Sequence, residues 1–127
     1  MIALPPHLGA VLPEITTPAY VVDMAVLKRN MAMAAHIRKE AGCRILLATK
    51  AFALPAVFPL MRGYLDGTTA SGVYEARLGR ENFGRQVHVY APAYTEESLR
   101  ELLTISDHIY FNSADQLRRF LSEVKAA

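Results

Sequence analysis

Short apolar runs alternate with longer amphipathic stretches along the chain, and this alternation predicts strands followed by helices. Four apolar runs are bounded by glycine, proline or polar residues, as is typical of buried strands. They span residues 45–50, 66–71, 87–91 and 108–112. Their ends lie 21, 20 and 21 residues apart. This regular spacing predicts repeated βα units and a parallel sheet.

The longest amphipathic stretch, Met24–Ala41, predicts a helix because it is rich in residues with high helix propensity. Asp23 precedes it as an N-cap and Gly42 follows it as a stop. Residues 17–22, which are β-branched and aromatic and open at a proline, predict a short leading strand. Further helices are predicted over residues 54–61, where Pro59 shortens or distorts the helix, over 73–80, from Thr95 to about 106, and from a Ser113/Gln116 capping box to about 124.

Crossover helices of about ten residues with short loops fit a (β/α) barrel. The rival Rossmann fold lacks its glycine fingerprint, since Gly63, Gly67 and Gly72 do not follow the G-x-G-x-x-G spacing. Four units are half of an eight-unit barrel, which typically needs about 250 residues. We therefore expect an α/β fold in which this chain is the N-terminal part of a longer (β/α)8 TIM-type barrel.

Composition narrows the class of protein. Of 127 residues, 52% are hydrophobic and 20% charged, which is typical of a globular chain rather than a disordered one. A formal charge of +2 spread along the chain argues against a nucleic-acid partner. The single Cys43 excludes a disulfide framework and is interpreted as a packing thiol. Residues 1–13 have no signal-peptide pattern and no membrane-length apolar run exists, so we expect no membrane partner and a cytoplasmic location.

Lys50 is the first candidate for chemistry, because the active site of a parallel barrel lies at the C-terminal ends of its strands. Alternation places Leu46, Ala48 and Lys50 on one face, with the small Ala48 leaving room for a ligand. A partly desolvated lysine helps supply the neutral amine that imine formation needs. The structural alternative is a lysine that extends from the strand terminus into solvent.

The third and fourth strands present polar side chains at the same end. Alternation sets His88 and Tyr90 on one face, and His108, Tyr110 and Asn112 on the corresponding face of the next strand. We expect these faces to point into the barrel, with Tyr90 and Asn112 nearest its mouth and able to line a ligand site. Alternatively the histidines and tyrosines are core residues with satisfied polar tips. The histidines do not have metal-ligand spacing, so no metal is expected.

The second strand-to-helix turn carries Ser71, Glu75 and Arg77. A serine and free backbone N–H groups at a helix start can hold an anion or a ring oxygen. The alternative is an N-cap serine beside a solvated Glu75–Arg77 surface.

Several motifs together resemble a known family. They are residues 17–23 (TPAYVVD), 46–52 (LLATKAF), 64–71 (YLDGTTAS), 74–79 (YEARLG), 87–94 (VHVYAPAY) and 107–113 (DHIYFNS). The set resembles the alanine-racemase-fold (fold type III) PLP-dependent decarboxylases, within them most closely the carboxynorspermidine (carboxyspermidine) decarboxylase branch. Phe52 and Thr68 depart from the Asn and the acidic residue usual in diaminopimelate and ornithine decarboxylases, and agree with that branch.

The resemblance implies a division of the chain and a set of roles. Residues 1–23 would belong to a separate β-domain through the strand at 17–22, and residues 24–127 would form the first half of the PLP-binding barrel. Lys50 would bond pyridoxal 5'-phosphate, with Ser71, Tyr90 and Asn112 as further cofactor-binding candidates. The implied reaction converts a small-molecule polyamine precursor, carboxynorspermidine or carboxyspermidine, to norspermidine or spermidine in a full-length homodimer.

Such enzymes usually carry a phosphate loop, an acidic partner for the pyridine nitrogen and a dimer-completing residue outside the stretch seen here. The resemblance therefore implies that this chain alone is inactive. Three alternatives stay open: a PLP-binding barrel without decarboxylase activity, another amino-acid decarboxylase of the same fold, and a half-barrel that serves as an interaction module.

Overall fold

A computed structural model describes residues 6–127. Four strands form one parallel sheet in the order β1-β2-β3-β4: β1 (Leu46–Ala48), β2 (Gly67–Ala70), β3 (Gln86–Tyr90) and β4 (His108–Tyr110). The α-helices are α1 (Pro6–Val11), α2 (Met24–Ala41), α3 (Phe58–Met61), α4 (Val73–Leu78), α5 (Glu96–Ile105), α6 (Ala114–Arg119) and α7 (Leu121–Ala126). The predicted parallel α/β fold with four βα units is confirmed. Within residues 6–127 no helix is both long and apolar enough to cross a membrane.

The two faces of the sheet differ as alternation predicts. Val87 and Val89 on β3 are fully buried in a cluster with residues of α4 and α5. A second cluster joins Leu47 of β1 to the apolar stripe of α2 at Leu27 and Met31. The other face, which we call the open face, carries Tyr90 and Tyr110, each about half exposed (46% and 48%). The helices therefore cover one face and leave the polar one accessible.

Helix α2 has the predicted bounds, because both of its ends are capped. The Asp23 carboxylate accepts the N–H groups of Ala25 and Val26 at 2.9 and 3.0 Å. Gly42 ends the helix in the left-handed region at φ 60°.

Three other predicted helices are interrupted. Residues 54–61 split into a 3₁₀ turn, Pro55–Val57, and the four-residue α3, which agrees with the effect expected of Pro59. Helix α4 continues as a π-helical turn, Gly79–Phe83, in which a Cβ on Gly79 would lie 2.2 Å from the Thr68 hydroxyl oxygen. The final helix breaks at Phe120, whose ring is buried in the sheet cluster.

The predicted leading strand over residues 17–22 does not pair with the sheet of this structure, and its place in a separate β-domain stays a prediction. Tyr20 is fully exposed and Val21 is 44% exposed, and no strand is assigned there. Its β-branched and aromatic residues favour an extended chain, but a strand also needs a hydrogen-bonded neighbour, and residues 6–127 supply none to it. The division of the chain at residue 23 stays a prediction.

Side-chain contacts join the N-terminal ends of β1 and β2, and we call this set of contacts a buttress. Asp66, just before β2, accepts the N–H of Ile45 at 3.0 Å and pairs with Arg38 at 3.0 Å. Arg38 also donates to the Tyr64 carbonyl at 3.2 Å. One carboxylate thus fixes the start of both strands to the end of α2.

The same buttress recurs at β3 and β4. Asp107 accepts the N–H of Val87 at 2.7 Å and pairs with Arg80 at 2.8 Å. Arg80 also donates to the Ile105 carbonyl at 2.8 Å. The equivalent residues lie 41 or 42 positions apart, so the hydrogen bonding recurs once, two βα units further along the chain. The residue types repeat only at the contacting positions, where Arg38 corresponds to Arg80 and Asp66 to Asp107.

Candidate active site

The C-terminal edge of the sheet brings together the four residues singled out from the sequence. Lys50 follows β1, Ser71 follows β2, Tyr90 ends β3 and Asn112 follows β4. All four are exposed. Their assembly follows from the parallel sheet, because the carboxyl ends of its strands meet at one edge.

Lys50 lies in a turn directly after β1. The turn is fixed by two backbone bonds to the Ala48 carbonyl, from Ala51 at 3.0 Å and from Phe52 at 3.2 Å. Within the described residues the Lys50 amine has neither a hydrogen bond nor an ion pair. Lys50 is exposed, so the partial desolvation expected of it from the sequence is not present in this structure. Its uncommitted amine on a hydrogen-bonded turn is free to bond a carbonyl ligand.

Glu75 joins the ends of β1 and β2. One of its oxygens accepts the Thr49 hydroxyl at 2.9 Å and the Ser71 N–H at 2.7 Å. Thr49 is only 3% exposed, and its hydroxyl also contacts the Thr69 carbonyl at 3.0 Å. This contact, which we call the Glu75 tie, was missed in the sequence because its two strands are distant along the chain.

The Glu75 tie changes the interpretation of the turn after β2, where free N–H groups were predicted to hold an anion. The Ser71 N–H is not free for an anion, since a carboxylate already occupies it. Ser71 is not the N-cap either, because Gly72 takes that position without a side-chain bond. Arg77 pairs with Glu101 rather than Glu75, and this contact raises the pKa of Arg77. The Ser71 hydroxyl has no hydrogen-bond partner in residues 6–127 and keeps its candidacy for cofactor binding as a prediction.

The side chains of Tyr90 and Asn112 form a direct hydrogen bond, which agrees with their predicted proximity. The Tyr90 hydroxyl donates to Asn112 Oδ1 at 2.8 Å. The side-chain nitrogen of Asn112, Nδ2, has no partner among the described residues, so it remains available to donate to a ligand. Their role in binding a cofactor stays a prediction.

Gln116 joins the ends of β3 and β4. Its oxygen accepts the Asn112 N–H at 2.9 Å, and its nitrogen donates to the Pro92 carbonyl at 3.1 Å. The Ser113 side chain accepts the Gln116 N–H at 3.1 Å, so one half of the predicted capping box is present. In the other half of a capping box, the Gln116 side chain would accept the Ser113 N–H. Here it contacts Asn112 and Pro92 instead, and we call these two contacts the Gln116 tie.

Tyr94 reinforces the same pair of strands. Its buried hydroxyl accepts the Ala91 N–H at 3.0 Å and donates to the Tyr110 carbonyl at 2.9 Å. Burial raises the pKa of Tyr94, so the phenol stays protonated and able to donate. Sequence reasoning missed this role, because Tyr94 lies in a loop without periodicity.

His88 lies on the open face below the edge and is a satisfied core residue, as one alternative proposed. Arg44 donates to Gln86 Oε1 at 3.1 Å, so that oxygen is an acceptor and His88 Nε2 donates to it at 3.3 Å. His88 Nδ1 therefore accepts from the Tyr110 hydroxyl at 2.9 Å. Burial, and then the neighbouring His108 ring 4.3 Å away, lower the pKa of His88 and favour this neutral form.

Cys43 lies at the opposite end of the sheet, before β1. It is exposed, so its interpretation as a packing thiol is wrong. The thiol follows Gly42, which ends α2 in the left-handed region. Among residues 6–127 no cluster of three or more His, Cys, Asp or Glu side chains could hold a metal ion.

No family model matches the chain. Three curated relatives are all named as decarboxylases. The chain is 42% identical over 108 residues to carboxynorspermidine/carboxyspermidine decarboxylase of Herminiimonas arsenicoxydans, which covers 85% of this chain and 30% of that protein. The enzyme of the same name from Campylobacter jejuni is 35% identical over 112 residues, 88% of this chain and 29% of the relative. Carboxyaminopropylagmatine decarboxylase of Synechocystis is 38% identical over 114 residues, 90% and 30% of the two chains.

Two solved structures share the fold. Carboxynorspermidine decarboxylase from Campylobacter jejuni, complexed with norspermidine, superposes with a TM-score of 0.84 at 35% identity over 87% of this chain and 30% of that one. D-threonine aldolase from Filomicrobium marinum has a TM-score of 0.76 at 20% identity, over 91% and 32%, and shows the fold alone. The chain spans about 30% of the length of the curated relatives it matches. In sequence and fold it is homologous, over 85–90% of its own length, to part of the carboxynorspermidine/carboxyspermidine decarboxylases.

Proposed function

We propose that this chain is the lysine-bearing part of a PLP-dependent decarboxylase of polyamine biosynthesis. The observation that carries the proposal is Lys50, whose uncommitted amine lies at the C-terminal edge of a sheet shared with those decarboxylases. The substrates are carboxynorspermidine or carboxyspermidine, by similarity to the relatives of those names. The relative that is named for carboxyaminopropylagmatine makes that carboxylated amine a further candidate substrate.

The residues at the edge fit the cofactor by their chemistry. Pyridoxal 5'-phosphate presents an aldehyde, an aromatic ring and oxygen acceptors. Lys50 offers an amine for the aldehyde, Tyr90 an aromatic surface, and Asn112 and Ser71 donors that have no other partner in residues 6–127. When bound, PLP would supply the electron sink that stabilises the carbanion left by loss of the carboxylate.

The chain's own residues would bind and orient. Lys50 Nζ would hold the cofactor, and the turn after Ala48 would fix where that nitrogen can reach. The Tyr90–Asn112 pair would line the mouth and help orient the bond that breaks. Neutral His88, deeper on the open face, would leave the interior without an added positive charge.

The wider setting is proposed on the same basis. The complete enzyme would be a cytoplasmic homodimer, and residues 1–127 alone would be inactive, because they correspond to only about 30% of the relatives' length. A PLP-binding barrel protein without decarboxylase activity is the alternative to be separated by experiment.

Reductive trapping tests the lysine. The chain is incubated with PLP, reduced with borohydride and mapped by mass spectrometry. We expect Lys50 to carry the label and Lys50→Arg to lose it, while Lys28→Arg, a matched exposed lysine on α2, keeps it. Label on another lysine with Lys50 unmodified would contradict the assignment.

A chimera tests the reaction. The homologous segment of the Campylobacter jejuni decarboxylase is replaced by this chain, and release of CO2 from carboxynorspermidine is measured. We expect activity that Lys50→Ala abolishes. A folded chimera that binds PLP through Lys50 but releases no CO2 would support the non-catalytic alternative.

A further inference from the structure

The N-terminal end of the sheet, opposite the candidate active site, contains an open cavity of about 330 Å³. The residues that line it are Arg44, Asp66, Arg85 and Gln86. They lie at the starts of three neighbouring strands, β1, β2 and β3. The volume is at the lower end of the range of small-ligand sites, roughly 300–1,000 Å³. We call this cavity the arginine recess, because two guanidinium groups belong to its wall.

The two arginines of the recess have no counter-charge among the described residues. Arg85 makes neither a hydrogen bond nor an ion pair there. Arg44 donates one hydrogen bond, to Gln86 Oε1 at 3.1 Å, and has no ion pair. Residues 1–5 contain no acidic side chain. Since like charges repel, two unpaired guanidinium groups at one cavity favour an anion inside it.

The carboxylate that lines the recess does not neutralise these arginines. Asp66 Oδ1 accepts from Arg38 at 3.0 Å, and Asp66 Oδ2 accepts the Ile45 N–H at 3.0 Å. The charge of Asp66 is therefore balanced by Arg38, which is not among the lining residues. The charges of Arg44 and Arg85 remain uncompensated.

Gln86 adds a neutral donor to the recess. Its Oε1 accepts from Arg44 at 3.1 Å and from His88 Nε2 at 3.3 Å, so the other end of the amide is the nitrogen. Gln86 Nε2 has no partner among the described residues. The recess therefore offers unused N–H groups on three side chains, while its side-chain oxygens already accept donors. These groups fit an oxyanion and do not fit a metal cation.

We propose that the arginine recess is a binding site for a phosphate group, either free or as a phosphate monoester, held by Arg44, Arg85 and Gln86. Guanidinium groups present paired N–H donors that match the oxygens of phosphate. The site lies at the opposite end of the strands from Lys50, where residues of a parallel barrel contribute to stability rather than to catalysis. A bound phosphate would connect the starts of β1 and β3 and stabilise the sheet. The proposal does not rest on the proposed function.

Isothermal titration calorimetry of the 127-residue chain tests the site, with inorganic phosphate and with phenyl phosphate at constant ionic strength. Arg44→Gln and Arg85→Gln each remove one guanidinium group from the recess. Arg29→Gln is the matched control, because it removes an exposed guanidinium group on α2. Arg85 has no contact to lose within the described residues, so Arg85→Gln should fold normally. Circular dichroism checks the fold of each variant.

We expect saturable binding of one phosphate per chain. Each recess substitution should raise the Kd about tenfold or more, because it removes charge-assisted hydrogen bonds. Arg29→Gln should leave the Kd unchanged. Phosphate should also raise the melting temperature of the unsubstituted chain more than that of Arg85→Gln. This difference separates binding at the recess from the general stabilising effect of phosphate salts, which both chains share.

The absence of saturable binding of both ligands would overturn the proposal. An unchanged Kd in folded Arg85→Gln would overturn it too, and so would an equal loss in Arg29→Gln, which would show an effect of net charge alone. Binding of both ligands supports a site for phosphate groups in general, and binding of inorganic phosphate alone supports a site for the free ion. Borohydride mapping of Lys50 involves none of these arginines, so this proposal and the proposed function can fail independently.

Discussion

At the scale of single residues, the sequence predicted roles that depend on neighbouring positions, but not roles that depend on contacts between distant segments. Strand alternation and strand ends placed Lys50, Tyr90 and Asn112 on the correct edge, because parallel strands align their carboxyl ends. The roles of Glu75 and Tyr94 require knowledge of which loops meet in space. No local pattern contains that information.

His88 carries a testable pH dependence. Burial, followed by the neighbouring His108, lowers the pKa of His88 below its unfolded value of about 6.5. The unfolded chain therefore binds more protons in this range, and stability rises with pH. The contribution of neutral His88 is complete above about pH 6.5 and is lost as the pH falls through the folded pKa.

We expect the melting temperature of the chain to fall between about pH 6.5 and pH 5, and His88→Gln to reduce that fall. His36→Gln is the matched control, because His36 is exposed on α2. Circular dichroism melts at half-unit pH intervals measure the effect. Equal slopes in the unsubstituted chain and His88→Gln would show that the buried imidazole is not the group that titrates.

At the scale of elements, helix ends and breaks set by local residues, such as caps and Pro59, were predictable, and breaks set by tertiary packing were not. Asp23 and Gly42 define both ends of α2 through local hydrogen bonds and a left-handed residue. The break at Phe120 follows instead from a ring that enters the core of the sheet. Residues 17–22 are strand-like in sequence but have no hydrogen-bonded strand neighbour within residues 6–127, and local sequence cannot supply that neighbour.

The repeated buttress predicts two equal losses of stability. Asp66→Asn and Asp107→Asn each remove the ion pair to an arginine while leaving one oxygen to accept a strand N–H. Both pairs are partly exposed, so each substitution should lower the free energy of unfolding by about 1 kcal/mol. Urea unfolding curves measure the change. Asp115→Asn, at an exposed i,i+3 pair with Arg118, should change it by less than about 0.5 kcal/mol.

A large loss at only one of the two sites would show that the buttresses are not equivalent. In that case the 41- to 42-residue repeat would be a similarity of geometry without a similarity of energy. Equal losses would identify a pair of βα units as the structural repeat of this sheet.

At the scale of the whole molecule, the sheet has one covered face and one open face. The covered face is packed by α4, α5 and the α2 stripe, and the open face carries half-exposed Tyr90 and Tyr110. Within residues 6–127, β1 and β4 each have a strand neighbour on one side only. The fold class followed from the sequence, because the spacing of the apolar runs specifies the order of the elements.

Unpaired strand edges favour pairing with another chain, and this gives a prediction for the isolated 127 residues. We expect light scattering coupled to size exclusion to show association that increases with protein concentration. His108→Lys places a charged side chain on the exposed position at the start of β4 and should reduce the association, because lysine on an edge strand opposes strand pairing. His36→Lys adds the same charge on α2 and should leave it unchanged. A monomer at every concentration would mean that these edges do not pair, and a single concentration-independent dimer would favour the half-barrel as an interaction module.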